Sequence, residues 1–149
     1  MLVPIDLADA LLTAELLQLQ RLAYRQEAEL IGYPDLPPLK ESLPELMDSG
    51  ETMLGWRVDG ELQGAVGFIE DGDGILICRL VVSPKVQRRG VAMQLVNAVL
   101  DWVGAQPLRV STAAANTPAL ALYAKLGFKP VRTSQTPDGL ALVSLLHTG

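Results

Sequence analysis

Six consecutive residues, Gln87-Arg88-Arg89-Gly90-Val91-Ala92, combine the charge and the backbone freedom needed to hold an anion. Gly90 has no Cβ and Ala92 has a minimal side chain, so a diphosphate could approach the main chain closely while Arg88 and Arg89 add fixed positive charge. The flanking residues supply the geometry. Ile75-Leu76-Ile77-Cys78, then Arg79, then Leu80-Val81-Val82 read as a strand buried on both faces. From about Gly90 to Trp102, apolar residues at Val91, Leu95 and Val99, joined by Val96 and Leu100, mark one face of a helix. A strand that passes into a helix through small residues leaves first-turn N–H groups without intrahelical acceptors, at the positive end of the helix dipole. The turn has neither the three spaced glycines of a dinucleotide fingerprint nor the Gly-Lys-Ser/Thr of a triphosphate loop.

Groups that could move a proton are scattered. Glu70 and Asp73 precede the strand, and Glu27 and Glu29 lie on an earlier helix; spacing pins none of them, and each reads first as a solvated surface charge. The strand from Ile75 to Val82 contains no carboxylate. Cys78, the only cysteine, excludes an intramolecular disulfide and reads as a small buried apolar residue rather than a nucleophile. No Cys/His cluster offers metal ligands, so no metal is expected, and His147 near the C-terminus reads as a surface residue.

The elements that must position these groups follow from composition and pattern. A chain of 149 residues suggests a single domain, 1–149, able to bury about 70% of the surface its unfolded form exposes. At 49% hydrophobic and 19% charged it is globular rather than disordered. A formal charge of −5 disfavours nucleic acid as a partner and mildly favours a cationic or amine substrate. No apolar run approaches the ~20 residues of a membrane span, and the start Met1-Leu2-Val3-Pro4 lacks the features of a secretory signal, so the expected location is the cytoplasm.

Leu2 to Ile5 suits a short edge strand, where Pro4 is tolerated. A helix is predicted from about Ala8 to Leu30 on a stripe that includes Leu12, Leu16, Leu19, Leu22 and Leu30, ended by Gly32 and Pro34. Tyr33 to Pro38 reads as a stiff extended loop, either the wall of a substrate cleft or a plain connector. Ser42-Leu43-Pro44-Glu45 is a capping box opening a short helix through Met47. Asp59-Gly60 and Asp71 to Gly74 mark the turns of an antiparallel meander whose strands are Thr52–Val58, Leu62–Ile69 and the strand from Ile75. Gly64 and Gly67 in its middle strand point to a bulge or a close backbone approach. Leu108 to Thr112 should lie parallel to the strand from Ile75, because a strand–helix–strand unit crosses over. A helix then runs from Thr117 to Leu126, and Phe128–Val131 pairs with Leu140–Leu146 around Pro137-Asp138-Gly139. The fold class is α/β, a mixed and mostly antiparallel central sheet flanked by helices.

Gln87-Arg88-Arg89-Gly90-Val91-Ala92 matches Gln/Arg-x-x-Gly-x-Gly/Ala, and Asn116 to Phe128 matches Asn-x6-Tyr-x3-Gly-Phe; with the order of elements, these make the whole chain resemble the GNAT superfamily of acetyl-CoA dependent N-acetyltransferases. The resemblance implies a splayed parallel strand pair at a cofactor cleft. Acetyl-CoA would rest its diphosphate on the amides from Arg88 to Ala92 beside Gln87, run its pantetheine arm along Leu80, Val81 and Val82, and meet the Asn116 amide. Tyr123, two helical turns beyond Asn116, would protonate the departing thiolate. The acceptor would be a primary amine of a small molecule or peptide, attacking directly, and Tyr24, Tyr33 and the loop through Pro38 are the region expected to contact it. Many family members carry a glutamate on the central strand; its absence here leaves the general base open and keeps a second reading, a non-catalytic acetyl-CoA sensor, alongside the enzyme. A homodimer is plausible from the family.

Overall fold

The chain is described by a computed structural model covering residues 1–148. Within them a seven-stranded sheet is built from β1 (Leu2–Ile5), β2 (Thr52–Val58), β3 (Glu61–Glu70), β4 (Ile75–Val82), β5 (Leu108–Ala113), β6 (Lys129–Gln135) and β7 (Ala141–His147), in the spatial order β1-β2-β3-β4-β5-β7-β6. Every neighbouring pair is antiparallel except β4 and β5. The helices are α1 (Ala10–Ile31), α2 (Leu43–Met47), α3 (Val91–Val103) and α4 (Thr117–Lys125), with short 3-10 turns at Pro37–Lys40 and Pro84–Val86. No helix among the described residues is long and apolar enough to cross a membrane.

Local chemistry explains the helix ends. The Asp9 carboxylate accepts the Leu12 N–H at 3.2 Å to open α1, and Gly32, at φ 67°, closes it with its N–H on the carbonyls of Ala28 and Glu29. The capping box at Ser42 is formed in both directions with Glu45. Part of the expected loop after Tyr33 instead tightens into the turn at Pro37–Lys40, because two prolines preset φ for a 3-10 bend.

Two apolar layers sandwich the sheet. Val91, Leu95, Val96, Val99 and Val103 of α3 pack with Val66, Phe68, Ile75, Ile77, Val110 and Tyr123 on one face. Leu16, Leu17, Leu19, Tyr24 and Ala28 of α1 pack with Leu46, Met53, Ala65 and Val81 on the other. Each fully buried aliphatic side chain contributes about 1.5–3 kcal/mol, so these layers fix how the helices sit. The predicted α1 stripe is only partly used: Leu22 and Leu30 remain 47% and 52% exposed.

The strand β4 departs from the expectation of burial on both faces. Gly67 pairs with Arg79 and Phe68 with Ile77, so Cys78 is an extra residue in a β-bulge, and it is exposed rather than buried. An inserted residue reverses the alternation of faces. Ile75 and Ile77 belong to the α3 side, and after the bulge Leu80 and Val82 return to that side while Val81 joins the α1 side. Gly67 thus lies at a bulge, and Gly64 at a close approach: a Cβ there would meet Val91 Cγ1 at 2.8 Å and Leu95 Cδ1 at 3.1 Å.

Because α3 seats directly on Gly64, Gly64→Val should lower the unfolding free energy by about 1–3 kcal/mol through overpacking, read as a shifted urea midpoint. An unchanged midpoint would mean that α3 can retreat without loss.

Candidate active site

The parallel pair β4–β5 is short. Ile75, Leu76 and Ile77 pair with Leu108, Arg109 and Val110, and beyond them the strands share no register. β5 continues pairing with β7 through Ala113, so it is β4, from Cys78 to Val82, whose edge is left open. A cleft of about 550 Å3 occupies the gap. Its walls come from Leu80, Val81 and Val82 of β4, Tyr24 and Glu27 of α1, Asn116 and Ala119 at the start of α4, and the loop and helix start from Val86 to Met93.

That loop forms a cradle. Arg88 and Gly90 both adopt left-handed backbone angles, φ 65° and 77°, and Gln94 N–H to Gly90 C=O (3.0 Å) is the first bond of α3, which leaves the amides of Val91 to Met93 without intrahelical acceptors. Gln87, Arg88, Gly90, Val91 and Ala92 line the cleft; Arg89 is exposed and outside its lining. A Cβ at Gly90 would meet nothing within 4 Å, so that side of the cradle is unobstructed where a diphosphate would approach. A reciprocal pair of side-chain amides, with Gln26 Nε2 donating to Gln87 Oε1 at 3.0 Å and Gln87 donating back, ties α1 to the loop.

Asn116 is buried and fully committed to position. Its Oδ1 accepts the Ala119 N–H at 3.2 Å as the N-cap of α4, and its Nδ2 donates to Glu27 Oε1 at 2.8 Å. Burial raises the Glu27 carboxyl above the ordinary carboxylate range, against the opposing pull of that hydrogen bond. Tyr123 lies in the adjoining core, edge-to-face with Phe128 at 5.2 Å between ring centroids, while Pro118, Ala119 and Leu122 present α4 to the cleft. Burial, with the Glu27 charge, holds the Tyr123 phenol well above its usual range, so it stays protonated and able to donate.

A second cavity of about 450 Å3 opens beside the first and shares Tyr24 with it; Asp35, Pro37, Pro38, Lys40, Glu41, Glu45, Cys78 and Arg79 complete its lining. Arg79, turned to the α1 side after the bulge, has its guanidinium between Glu41 (2.7 Å) and Glu51 (2.5 Å) and donates to Gln20 Oε1 at 2.6 Å. Burial would raise the Glu41 carboxyl, but hydrogen bonds from Arg79 and Gln20 and the Arg79 charge outweigh it and hold the group low. Partial desolvation on the wall of the second cavity pushes the Cys78 thiol up to about 11 although the residue is exposed, so it is protonated at neutral pH and unsuited to nucleophilic attack. Tyr33 lies outside both cavities, hydrogen-bonded to the Asp138 carboxylate in the β6–β7 turn. Glu29, Glu70 and Asp73 are exposed and line neither cavity.

Of the residues singled out from the sequence, Tyr24, Asn116 and the loop residues other than Arg89 line the cleft; Gln26, Met93 and the Arg79 network are not among those singled out. Ala23, Gln26, Glu27 and Leu30 recur at helical spacing on α1, a signal that a stripe exists but not of what it faces.

Residues 13–128 match the Acetyltransferase (GNAT) family, and the chain belongs to it. Among its relatives is UPF0157 protein YqkA of Bacillus subtilis (strain 168), 36% identical over 140 residues that cover 93% of this chain and 40% of that protein; the chain therefore spans well under half the length of this curated relative. The ribosomal-protein-S18-alanine N-acetyltransferase of Escherichia coli superposes with a TM-score of 0.77 at 17% identity, over 98% of this chain and 91% of that one. An aminoglycoside 6'-N-acetyltransferase complexed with coenzyme A superposes at 0.74 and 20% identity, over 99% and 96%. At such identities the two structures establish the shared fold alone.

Arg79→Ala would leave Glu41 and Glu51 buried without their cation, and a loss of about 3–5 kcal/mol in unfolding free energy is expected at pH 7. Since the folded-state pKa of Glu41 is depressed, its stabilising contribution is present above the unfolded carboxylate value, about 4.3, and is lost as pH falls through the folded value. The gap between wild type and variant should therefore narrow on acidification below that value, measured by urea unfolding at pH 7 and at about pH 2.5. A gap independent of pH would mean that the carboxylates are not the source of the loss.

Proposed function

We propose that the chain, as one unit over 1–149, transfers an acetyl group from acetyl-CoA to a primary amine of a small molecule or peptide by direct attack of the amine on the thioester. The observation that carries this reading is the open edge of β4 from Cys78 to Val82, leading straight to the cradle at Gly90. An extended arm can pair with the unsatisfied main-chain groups of that edge, as an added strand would. Amides from Arg88 to Ala92, with the Arg88 guanidinium, then suit a diphosphate. Acetyl-CoA, when bound, supplies an activated acyl group and a thiolate leaving group. Leu80, Val81 and Val82 line the arm's path, main-chain N–H groups near the bulge would polarise the acyl carbonyl, and Tyr123, packed in the core behind the cleft-facing residues of α4, is the expected proton donor to the thiolate.

The second cavity is the proposed acceptor site. It shares Tyr24 with the first, and among its lining the carboxylates Asp35, Glu41 and Glu45, paired in turn with Lys40, Arg79 and the Ser42 N–H, outnumber the two cations and suit an ammonium-bearing ligand. Tyr24 therefore stays in the proposed acceptor site, whereas Tyr33 supports it only through the β6–β7 turn.

Gly90→Glu places bulk and negative charge in the cradle and strains a residue held at φ 77°. Calorimetric titration should show acetyl-CoA binding to the wild type and at least a tenfold weaker affinity in the folded variant, with thiol release from the wild type on an amine panel. Equal affinities would remove the cradle from the reading, and binding without thiol release would leave a module that only holds acetyl-CoA.

A further inference from the structure

We propose that Glu27 of α1 is the group that takes the proton from the acceptor ammonium, held in place by Asn116 of α4. The inference rests on the function proposed above. No carboxylate stands on β4, and of the four scattered candidates Glu27 alone lines the cleft. It sits one helical turn after Tyr24, the residue common to both cavities, so it faces the cleft close to where an amine arriving from the second cavity would meet the open edge of β4.

The carboxylate is oriented, not merely present. Asn116 Nδ2 holds Oε1 at 2.8 Å, and Asn116 is itself fixed by capping α4 through Ala119 N–H. That leaves Oε2 for the ammonium. The titratable or charged groups facing it are Tyr24 on its own helix, Tyr123 on α4 and, across the cleft, Arg88 on the loop. Burial raises both phenols, so they stay protonated through neutral pH, and the carboxyl of Glu27 is the group on this wall of the cleft suited to take a proton. The raised carboxyl strengthens it as a base near neutral pH.

The step balances. The ammonium passes one proton to Oε2, giving neutral amine and the Glu27 acid. The amine nitrogen then bonds to the acyl carbon, the carbon–sulfur bond breaks, and the second nitrogen proton passes by way of the Tyr123 hydroxyl to the departing thiolate, leaving a neutral amide and a free thiol. Glu27 returns its proton to solvent.

Glu27→Gln keeps an oxygen for the Asn116 amide but cannot take a proton. Acetyl-CoA affinity by calorimetry should change less than threefold, while kcat/KM for a primary alkylamine near pH 7 falls by about 100-fold or more. The deficit should shrink above about pH 10.5, where an alkylamine is deprotonated in solution, and it should shrink also near pH 7 with a weakly basic acceptor such as methoxyamine, because those amines arrive neutral. Asn116→Ser retains a cap oxygen for α4 but withdraws the donor from Glu27, so the acidic limb of the pH–rate profile should move upward. A Gln variant with the wild-type rate and profile would overturn the assignment, as would a loss that is the same at every pH and for every acceptor. If the wild type binds no acetyl-CoA, the acetyltransfer reading itself fails and this assignment with it; binding retained with an unaltered profile would overturn the base alone.

Discussion

The structure depends on one constraint: the parallel strands β4 and β5 hold together for three residue pairs and then part. A parallel strand whose edge is left open exposes N–H and C=O groups that only a ligand or water can satisfy. Here the open edge is not a defect, because β5 keeps its ladder with β7 while β4 keeps its own with β3. The sheet stays continuous on both sides of the gap. Helices α1, α3 and α4 then close around it from both faces, which makes a cleft through the sheet rather than a groove upon it.

The bulge at Cys78 sets what each side of that cleft can do. Without the extra residue, Arg79 would share a face with Ile75 and Ile77 and point its guanidinium into the apolar layer under α3. With it, Arg79 turns toward α1 and meets Glu41, Glu51 and Gln20, binding the segment after α1 and the start of β2 to the central strand. A buried cation with two carboxylates is weak evidence of stability in its own right. Its consequence here is positional, since it fixes Glu41 on the wall of the second cavity.

The helix α1 is the common wall. Its buried side packs on the sheet through Leu16, Leu17 and Leu19, and its later turns face the cleft through Tyr24, Gln26 and Glu27. Two side-chain contacts, Gln26 with Gln87 and Glu27 with Asn116, span from it to the loop and to α4. A site assembled in this way draws its residues from segments far apart in the chain, and each owes its place to a different element.

The sequence by itself determined the local pieces: the Asp59-Gly60 turn, the capping box at Ser42, the stop at Gly32, the meander and the glycine at the head of α3. These follow from backbone sterics and from alternation or helical period, which are properties of neighbouring residues. It also singled out Gln87 to Ala92 and Asn116, because residue types at fixed spacing mark them; that Asn116 caps α4 and holds Glu27 is visible only in the fold. The tertiary structure alone decided that Cys78 is an exposed bulge residue, that Arg79 faces α1, and that Glu27, rather than Glu29, Glu70 or Asp73, borders the cleft. A bulge changes which face every later side chain takes, and a carboxylate becomes buried only when another element packs beside it; both depend on partners distant in the chain, and no local pattern encodes them.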